Sequence, residues 1–345
     1  MAIIMMLQGH FVHMLLDTSL VNEHSLFFRT WKFCRGITAP TFFTITGYVF
    51  FFLLLEKSKK GEARFRIKKG IKRGLELILW GYLLRVNIPN LFNGYISPGQ
   101  WQWDVLHVIG LSILFIIGLF VVLKWVFIGS APTLPQRRKA LSILRIGLNK
   151  RRPKSISNHI EFVNNYETSY TEREKFFPQV GEVRWGRKTH HPNILIATIL
   201  FISGICLFAF EPAYIKAELA ALPVFIANVF TTYHGSTFSI LPWFGYVLLG
   251  SSLGIITATW RNHDRFYPIF IAVLTVLGYL LTFHSSWFMV RLGQETGWQV
   301  FIDVAYNNYL FIRFGNVLWL IAFFVGIRNL FKPEWLQQIG TNTLW

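Results

Sequence analysis

The chain has 345 residues, of which 53% are hydrophobic, 17% aromatic and only 15% charged, and its mean hydropathy is +0.41. This composition excludes an ordinary soluble domain and indicates a protein that crosses a membrane several times. The formal net charge is +17, but the basic residues lie beside apolar runs, as the positive-inside rule predicts, so we expect no nucleic-acid partner. Cys34 and Cys206 lack metal-ligand spacing and cannot form a disulfide framework, so we interpret them as packing residues and expect no metal.

The first apolar stretch, residues 1–16, leads directly into a carboxylate and carries two histidines. His10, His13 and Asp17 stand at i, i+3 and i+7, so a helix would place them along one face. Ionisable groups are costly inside a membrane and usually face a bundle interior or a wet cavity. This face is therefore a candidate site, with three alternatives left open: His10 packs between helices, His13 only supports other groups, or Asp17 is an exposed helix end.

Apolar runs long enough for a membrane predict an all-α transmembrane bundle of about eight spans. A ninth begins in the C-terminal string IGTNTLW. The predicted spans are residues 1–16, 38–55, 74–86, 105–128, 194–210, 240–260, 266–283 and 314–327. Within the sixth, several glycines and serines favour close helix packing.

Two segments rich in Lys and Arg set the expected orientation. They are a predicted loop at residues 57–73 and a long polar insertion at 129–192, both assigned to the cytoplasm. We interpret 1–345 as one transmembrane domain with this insertion inside it, in a bacterial inner (plasma) membrane. Basic clusters in the insertion contact anionic lipid headgroups in one interpretation, and only set the topology in the other.

Polar side chains recur at the predicted outer ends of the spans. They are Arg35, Asp104, His107, His234, Arg313 and Asn316. A histidine beside a carboxylate is a common general base or nucleophile, and Arg or Asn side chains stabilise oxyanions. We expect a polar pocket here. The alternatives are that Asp104 and His107 form a helix-capping pair, that the arginines are interface anchors and that His234 is a solvent-exposed loop residue.

Four strings carry a resemblance to a known family. They are AIIMMLQGHFVH, RGITAPTFFTITGY, DVLHVIGLS and LPWFGYVLLGSSLG. In this order and spacing they resemble the heparan-alpha-glucosaminide N-acetyltransferase-like family, within the wider group of acyltransferase-3-like transmembrane acyltransferases. The string IGTNTLW resembles the family's entry into its closing helices, and the resemblance implies that the chain is truncated at both ends.

The resemblance implies transfer of an acetyl or other acyl group from cytoplasmic acetyl-CoA, or another acyl-CoA, to a sugar or glycan acceptor on the other side. It makes His10 the catalytic candidate, with His13 and His24 as substitutes, and it places Asp104 and His107 at a polar position of the family's fourth span. Asp17 or Asp104 would orient the histidine. Arg35, His234, Arg313 and Asn316 would bind the acceptor together with His13. CoA phosphates would contact four basic side chains: Lys68, Lys69, Lys72 and Arg73. The alternative is that these four residues only set the topology.

Two other functions remain open from the sequence. In a proton-coupled transporter or exporter of a small polar or lipid-linked substrate, His10, Asp17 and Arg313 would line the path. In a non-catalytic membrane subunit, the same residues would be structural. Binding of acyl-CoA distinguishes the acyltransferase from both.

Overall fold

The computed structural model describes residues 12, 15, 24–59, 62–86, 94, 101–128, 190–215, 217–219, 221–233, 235, 236 and 238–328, with the side chains of 124–128 and 190–192 outside that description. Within these ranges the chain forms helices and no strands, which confirms the all-α prediction. The helices are α1 Leu26–Lys59, α2 Ala63–Arg85, α3 Val105–Ile128, α4 His190–Ala209, α5 Glu211–Tyr214, α6 Val224–Phe230, α7 Ile240–Trp260, α8 Phe266–Tyr279, α9 Ser285–Thr296, α10 Gln299–Tyr306 and α11 Tyr309–Gly326. A π-helical turn, Leu280–His284, joins α8 to α9.

Helices α1 and α7 form the central pair and run in the same direction. A Cβ atom on Gly250 would lie 1.9 Å from the carbonyl oxygen of Thr44, and one on Gly254 would lie 2.3 Å from that of Tyr48. The two backbones are therefore in contact along one side, as the glycine pattern of α7 predicts.

Helices α2 and α3 form an antiparallel pair. Gly74 lies against the carbonyl oxygen of Gly110, and Gly81 lies against the imidazole of His107. Gly81 comes after Gly74 in α2, whereas its partner His107 comes before Gly110 in α3. The two helices therefore run in opposite directions, and the end of α2 meets the start of α3.

Helix α4 runs antiparallel to α7, and α8 runs antiparallel to α11. Gly204 faces Leu249 while Phe208, further along α4, faces Gly245. The Trp319 indole donates to the Thr275 carbonyl oxygen at 3.0 Å, which joins the later part of α11 to α8. The long helices thus alternate in direction.

The alternating helices give the bundle two ends. We call one the Arg313 end; it holds the end of α2, the starts of α3, α7 and α11 and the end of α4. The other, the Arg261 end, holds the junctions α1–α2 and α7–α8. The ends of α3 and α4 that flank residues 129–189 also lie at the Arg261 end.

Five helical segments are long and apolar enough to cross a membrane: Leu26–Lys59, Val105–Leu123, Ile240–Trp260, Phe266–Thr296 and Tyr309–Gly326. They support an integral membrane protein. Of the other predicted spans, 74–86 corresponds to the second half of the more polar α2, which ends at Arg85. Span 194–210 corresponds to the shorter apolar helix Asn193–Ala209, and 1–16 falls almost entirely outside the described residues.

Several predicted boundaries were wrong because helices continue beyond the apolar residues that the span criterion detects. Helix α1 begins at Leu26 rather than at residue 38, α11 begins at Tyr309 rather than 314, and the helical unit after Phe266 extends to Thr296 rather than 283. Helix α4 begins at His190, inside the predicted insertion.

The prediction that residues 57–73 form a loop was also wrong. Lys57 and Lys59 lie in the last turn of α1, and the chain is helical again from Ala63. Lys and Arg have high helix propensity, so they extend helices beyond the apolar segment.

Candidate functional site

The residues that the resemblance places at the catalytic centre lie outside the described residues. His10, His13 and Asp17 fall there, and so does His234. His24 is described and is an exposed residue of the turn before α1. The described part of the candidate site is therefore the set of predicted residues at the Arg313 end.

Asp104 and His107 lie together at the start of α3, as their spacing predicts. Asp104 accepts a hydrogen bond on Oδ1 from the Val105 amide at 2.7 Å, and its Oδ2 lies 3.5 Å from an Arg85 guanidinium nitrogen. The Asp104 backbone amide donates to His107 Nδ1 at 3.3 Å. The carboxylate thus caps α3 and pairs with Arg85, while the imidazole is oriented by a backbone amide.

The His107 imidazole is fully buried among aromatic rings. Its ring centre lies 4.3 Å from that of Tyr82 and 5.3 Å from that of Trp103. A Cβ atom on Gly81 would lie 2.6 Å from its Cε1, so the glycine makes the space that the ring occupies. This environment supports the capping alternative for Asp104 and His107, and their catalytic role stays a prediction.

Arg313 lies inside α11 and faces α1. Its Nη2 atom is 3.8 Å from the position that a Cβ on Gly36 would take, and its guanidinium lies 5.2 Å from the ring centre of Tyr309. Arg35 is exposed on α1 within the helix, rather than before it as predicted, and its guanidinium lies 5.6 Å from the Trp31 ring centre. Two guanidinium groups therefore come from adjacent helices at one end of the bundle.

Asn316 follows Arg313 by one turn of α11 and is 9% exposed. The neighbouring Gly315 faces the π-helical turn, where a Cβ on the glycine would lie 2.4 Å from Thr282 Oγ1. Arg313 and Asn316 thus share one region of α11, as their spacing predicts. Their substrate-binding role stays a prediction.

A buried carboxylate, Glu211, which was not among the predicted site residues, completes this region. Glu211 is 6% exposed at the start of α5, and the Tyr309 hydroxyl donates to its Oε1 at 3.2 Å. The available signal was a single acidic residue directly after an apolar run and before Pro212. Tyr309 connects this carboxylate to Arg313 because its hydroxyl contacts one and its ring contacts the other.

Tyr214 closes the same region from α5, outside the candidate spans. Its hydroxyl donates to the Leu207 carbonyl oxygen. Burial, together with the nearby Glu211 and Tyr309, raises the pKa of Tyr214 well above its ordinary value. The phenol therefore stays neutral and remains a hydrogen-bond donor throughout the physiological pH range.

Aromatic contacts link the pair Asp104 and His107 to the pair Arg313 and Asn316. The Phe238 amide donates to the Trp103 carbonyl oxygen at 3.4 Å. The ring centre of Phe238 lies 4.8 Å from that of Trp243. Trp243 stacks on Tyr246, whose hydroxyl donates to the Leu310 carbonyl oxygen at 3.0 Å. The two groups lie at the same end of the bundle with these apolar rings between them.

The predicted CoA-binding residues lie at the opposite end of the bundle, in the first half of α2. Lys68, Lys72 and Arg73 are exposed, Lys69 is half-buried, and Lys72 is 3.6 Å from Glu76. They therefore form a solvated helix face that is rich in positive charge. This arrangement fits both phosphate binding and the topology-setting alternative.

The family described as "Heparan-alpha-glucosaminide N-acetyltransferase, catalytic" matches residues 1–134. The predicted resemblance is confirmed over these residues. The matched region contains His10, Asp17 and Asp104, whereas Glu211 and Arg313 lie beyond it. No curated protein and no solved structure matches the chain. Together with the five apolar helices, the family match points to an acetyltransferase embedded in a membrane.

Proposed function

We propose that the protein moves an acetyl or other acyl group from cytoplasmic acyl-CoA to a sugar or glycan acceptor on the opposite side of the membrane. The observation that carries this proposal is the match of residues 1–134 to the acetyltransferase catalytic family, since this region includes His10 and the helix pair α2–α3. The bundle supports it by separating a basic end from an end with polar side chains.

In this mechanism His10 acts as the general base. It accepts the proton of the acceptor hydroxyl or amine while the acceptor oxygen or nitrogen attacks the thioester carbonyl carbon. The tetrahedral intermediate collapses with cleavage of the carbon–sulfur bond, and the CoA thiolate takes up the proton from His10. In the two-step version, His10 carries the acyl group between the thioester and the acceptor.

The remaining residues supply orientation and charge. Asp17 orients the His10 imidazole, since the Asp104 carboxylate already contacts Arg85 and the Val105 amide. Arg313 and Asn316 stabilise the oxyanion or hold the acceptor. Arg35, His13 and His234 contribute further acceptor contacts.

Acyl-CoA is a substrate in this proposal, and its phosphates would be bound at the Arg261 end. Lys68 and Lys72 lie one turn apart on α2, and Lys69 and Arg73 do the same, so the four side chains can contact one polyphosphate group. Replacing all four with Gln should raise the KM for acyl-CoA while leaving the KM for the acceptor unchanged.

The deciding experiment is transfer of a labelled acetyl group by the purified protein in lipid bilayers, with acetyl-CoA as donor and a glucosamine-terminated glycan as acceptor. We expect His10→Ala to lower the rate by about 100-fold or more. His284→Ala is the matched control, because His284 is an exposed residue of the π-helical turn and has no role in the proposed reaction. Transfer at the wild-type rate by correctly inserted His10→Ala protein would contradict the mechanism.

A further inference from the structure

A groove of about 170 Å³ lies between α4 and α7 near the Arg261 end of the bundle. Its walls include Ile194 and Phe201 from α4 and Ile255 and Trp260 from α7. Ile194 is 39% exposed, so the groove is accessible from the outer surface of the helix pair.

The groove is chemically suited to a hydrocarbon chain. Two threonines line it, and both hydroxyls donate within their own helices, Thr198 to the Ile194 carbonyl oxygen at 3.0 Å and Thr259 to that of Ile255 at 2.7 Å. These two donors are already used. Ser252, which is 1% exposed, also lines the groove, and the remaining lining residues are apolar. An aliphatic chain would bury apolar surface there without leaving those hydroxyls unpaired.

Positive charge lies directly after the last turn of α7, which is at this end of the bundle. Arg261 follows the wall residue Trp260, and Arg265 is exposed four residues later. The Lys59 ammonium lies 3.0 Å from the Ala258 carbonyl oxygen, next to the wall residue Thr259. Glu56 accepts from both Lys59 and Arg261, and Asp264 is exposed in the same turn. The three basic side chains Lys59, Arg261 and Arg265 therefore exceed the two carboxylates by one charge.

Trp260 stands between the apolar groove and this basic turn. Tryptophan is enriched where the hydrocarbon core meets the headgroups, because its ring is apolar and its indole nitrogen is polar. A lipid with its chain in the groove would therefore place its headgroup beside Arg261 and Arg265, where an anionic phosphodiester headgroup is favoured.

We propose that the α4–α7 groove binds one acyl chain of an anionic phospholipid, with the headgroup at the basic turn 261–265. This site does not depend on the proposed acyl transfer, because neither the groove residues nor Arg261 and Arg265 have a role in that reaction. A phospholipid held here would join α4, which follows the insertion, to the central helix α7.

The test uses phosphatidylglycerol with a photoreactive diazirine in one acyl chain, added to the purified full chain in detergent micelles. After illumination, peptides are analysed by mass spectrometry. We expect labelling in residues 194–201 and 252–260, and a loss of about tenfold in Thr198→Trp protein, whose indole fills the groove from its exposed side. Leu195→Trp is the matched control, since Leu195 is an exposed residue of α4 that does not line the groove, and its labelling should equal the wild type.

A competition experiment on the wild-type protein tests the headgroup without relying on a variant that must fold. Excess unlabelled phosphatidylglycerol should suppress labelling of the two segments, and phosphatidylcholine with the same chains should suppress it about tenfold less effectively. Equal competition would overturn the assignment of an anionic lipid. Labelling of Thr198→Trp at the wild-type level, or labelling of wild-type protein only outside the two segments, would overturn the groove as the chain site.

Discussion

Tyr309 joins two charged side chains that come from distant parts of the chain. Its hydroxyl donates to Glu211 and its ring lies beneath the Arg313 guanidinium. Replacing Tyr309 with Phe keeps the ring but leaves the 6% exposed carboxylate without this donor. We therefore expect the free energy of unfolding to fall by about 1 to 3 kcal/mol. Thermal unfolding in lipid nanodiscs measures it, and Tyr306→Phe is the control because Tyr306 is 87% exposed. Equal unfolding temperatures for the two variants would show that the Glu211 contact contributes nothing.

Asp104 tests whether the carboxylate at the start of α3 has a chemical role. Asn keeps an oxygen for the Val105 amide and leaves the backbone bond to His107 intact, so Asp104→Asn loses only the charge opposite Arg85. An ion pair with this exposure contributes about 1 kcal/mol or less. We expect kcat for acetyl transfer to stay within about fivefold of the wild type. A loss as large as that expected for His10→Ala would instead establish Asp104 as part of the reaction.

At the scale of the helices, the contact between α1 and α7 depends on missing side chains. A Cβ on Gly250 would meet the backbone oxygen of Thr44 at 1.9 Å, and a backbone atom cannot rotate away. Gly250→Ala should separate the two helices and lower the free energy of unfolding by about 1 to 3 kcal/mol or more. In contrast, Gly118→Ala in α3 meets no atom within 4 Å and should be neutral or stabilise by up to about 1 kcal/mol. Thermal unfolding of the two variants compares them directly, and equal stability would contradict the close contact.

The sequence predicted helix type and helix packing better than helix ends. The glycine pattern of α7 predicted a close contact because small residues permit one whatever the partner is. The predicted starts of α1 and α11 were wrong because Leu26 and Tyr309 lie in polar or aromatic segments. The criterion of an apolar run does not detect a helix in such segments, although the helix continues through them. The π-helical turn Leu280–His284 had no signal, since its residues are as apolar as those around them.

The same distinction applies to the candidate site. Asp104 with His107, and Arg313 with Asn316, were predictable as pairs because each lies within one turn of one helix. The contact between Glu211 and Tyr309 was not, because 98 residues separate them and only the folded bundle brings them together. Asp104 was also predictable as a neighbour of His107 but not as the partner of Arg85, which comes from another helix.

For the whole molecule, alternating helices and charge give a consistent orientation. The basic residues of 57–73 and the turn 261–265 lie at one end of the bundle, and both helix ends that flank residues 129–189 are there too. The positive-inside rule predicts that this end faces the cytoplasm, and Arg313 and Glu211 lie at the other end. In the proposed function, acyl-CoA would then bind at the basic end and the acceptor at the Arg313 end.

This orientation can be tested with single cysteines at the two ends. In protein with Cys34→Ser and Cys206→Ser, we expect a membrane-impermeant maleimide added to sealed, right-side-out vesicles to label Tyr306→Cys at once. Asn262→Cys should react only after the membrane is opened. Both positions are exposed in the structure, so a difference in labelling reports the side of the membrane rather than burial. Labelling of both from one side would contradict the alternating helices, whereas the reverse pattern would keep the bundle and invert it, placing the basic end outside and removing the proposed route from cytoplasmic acyl-CoA.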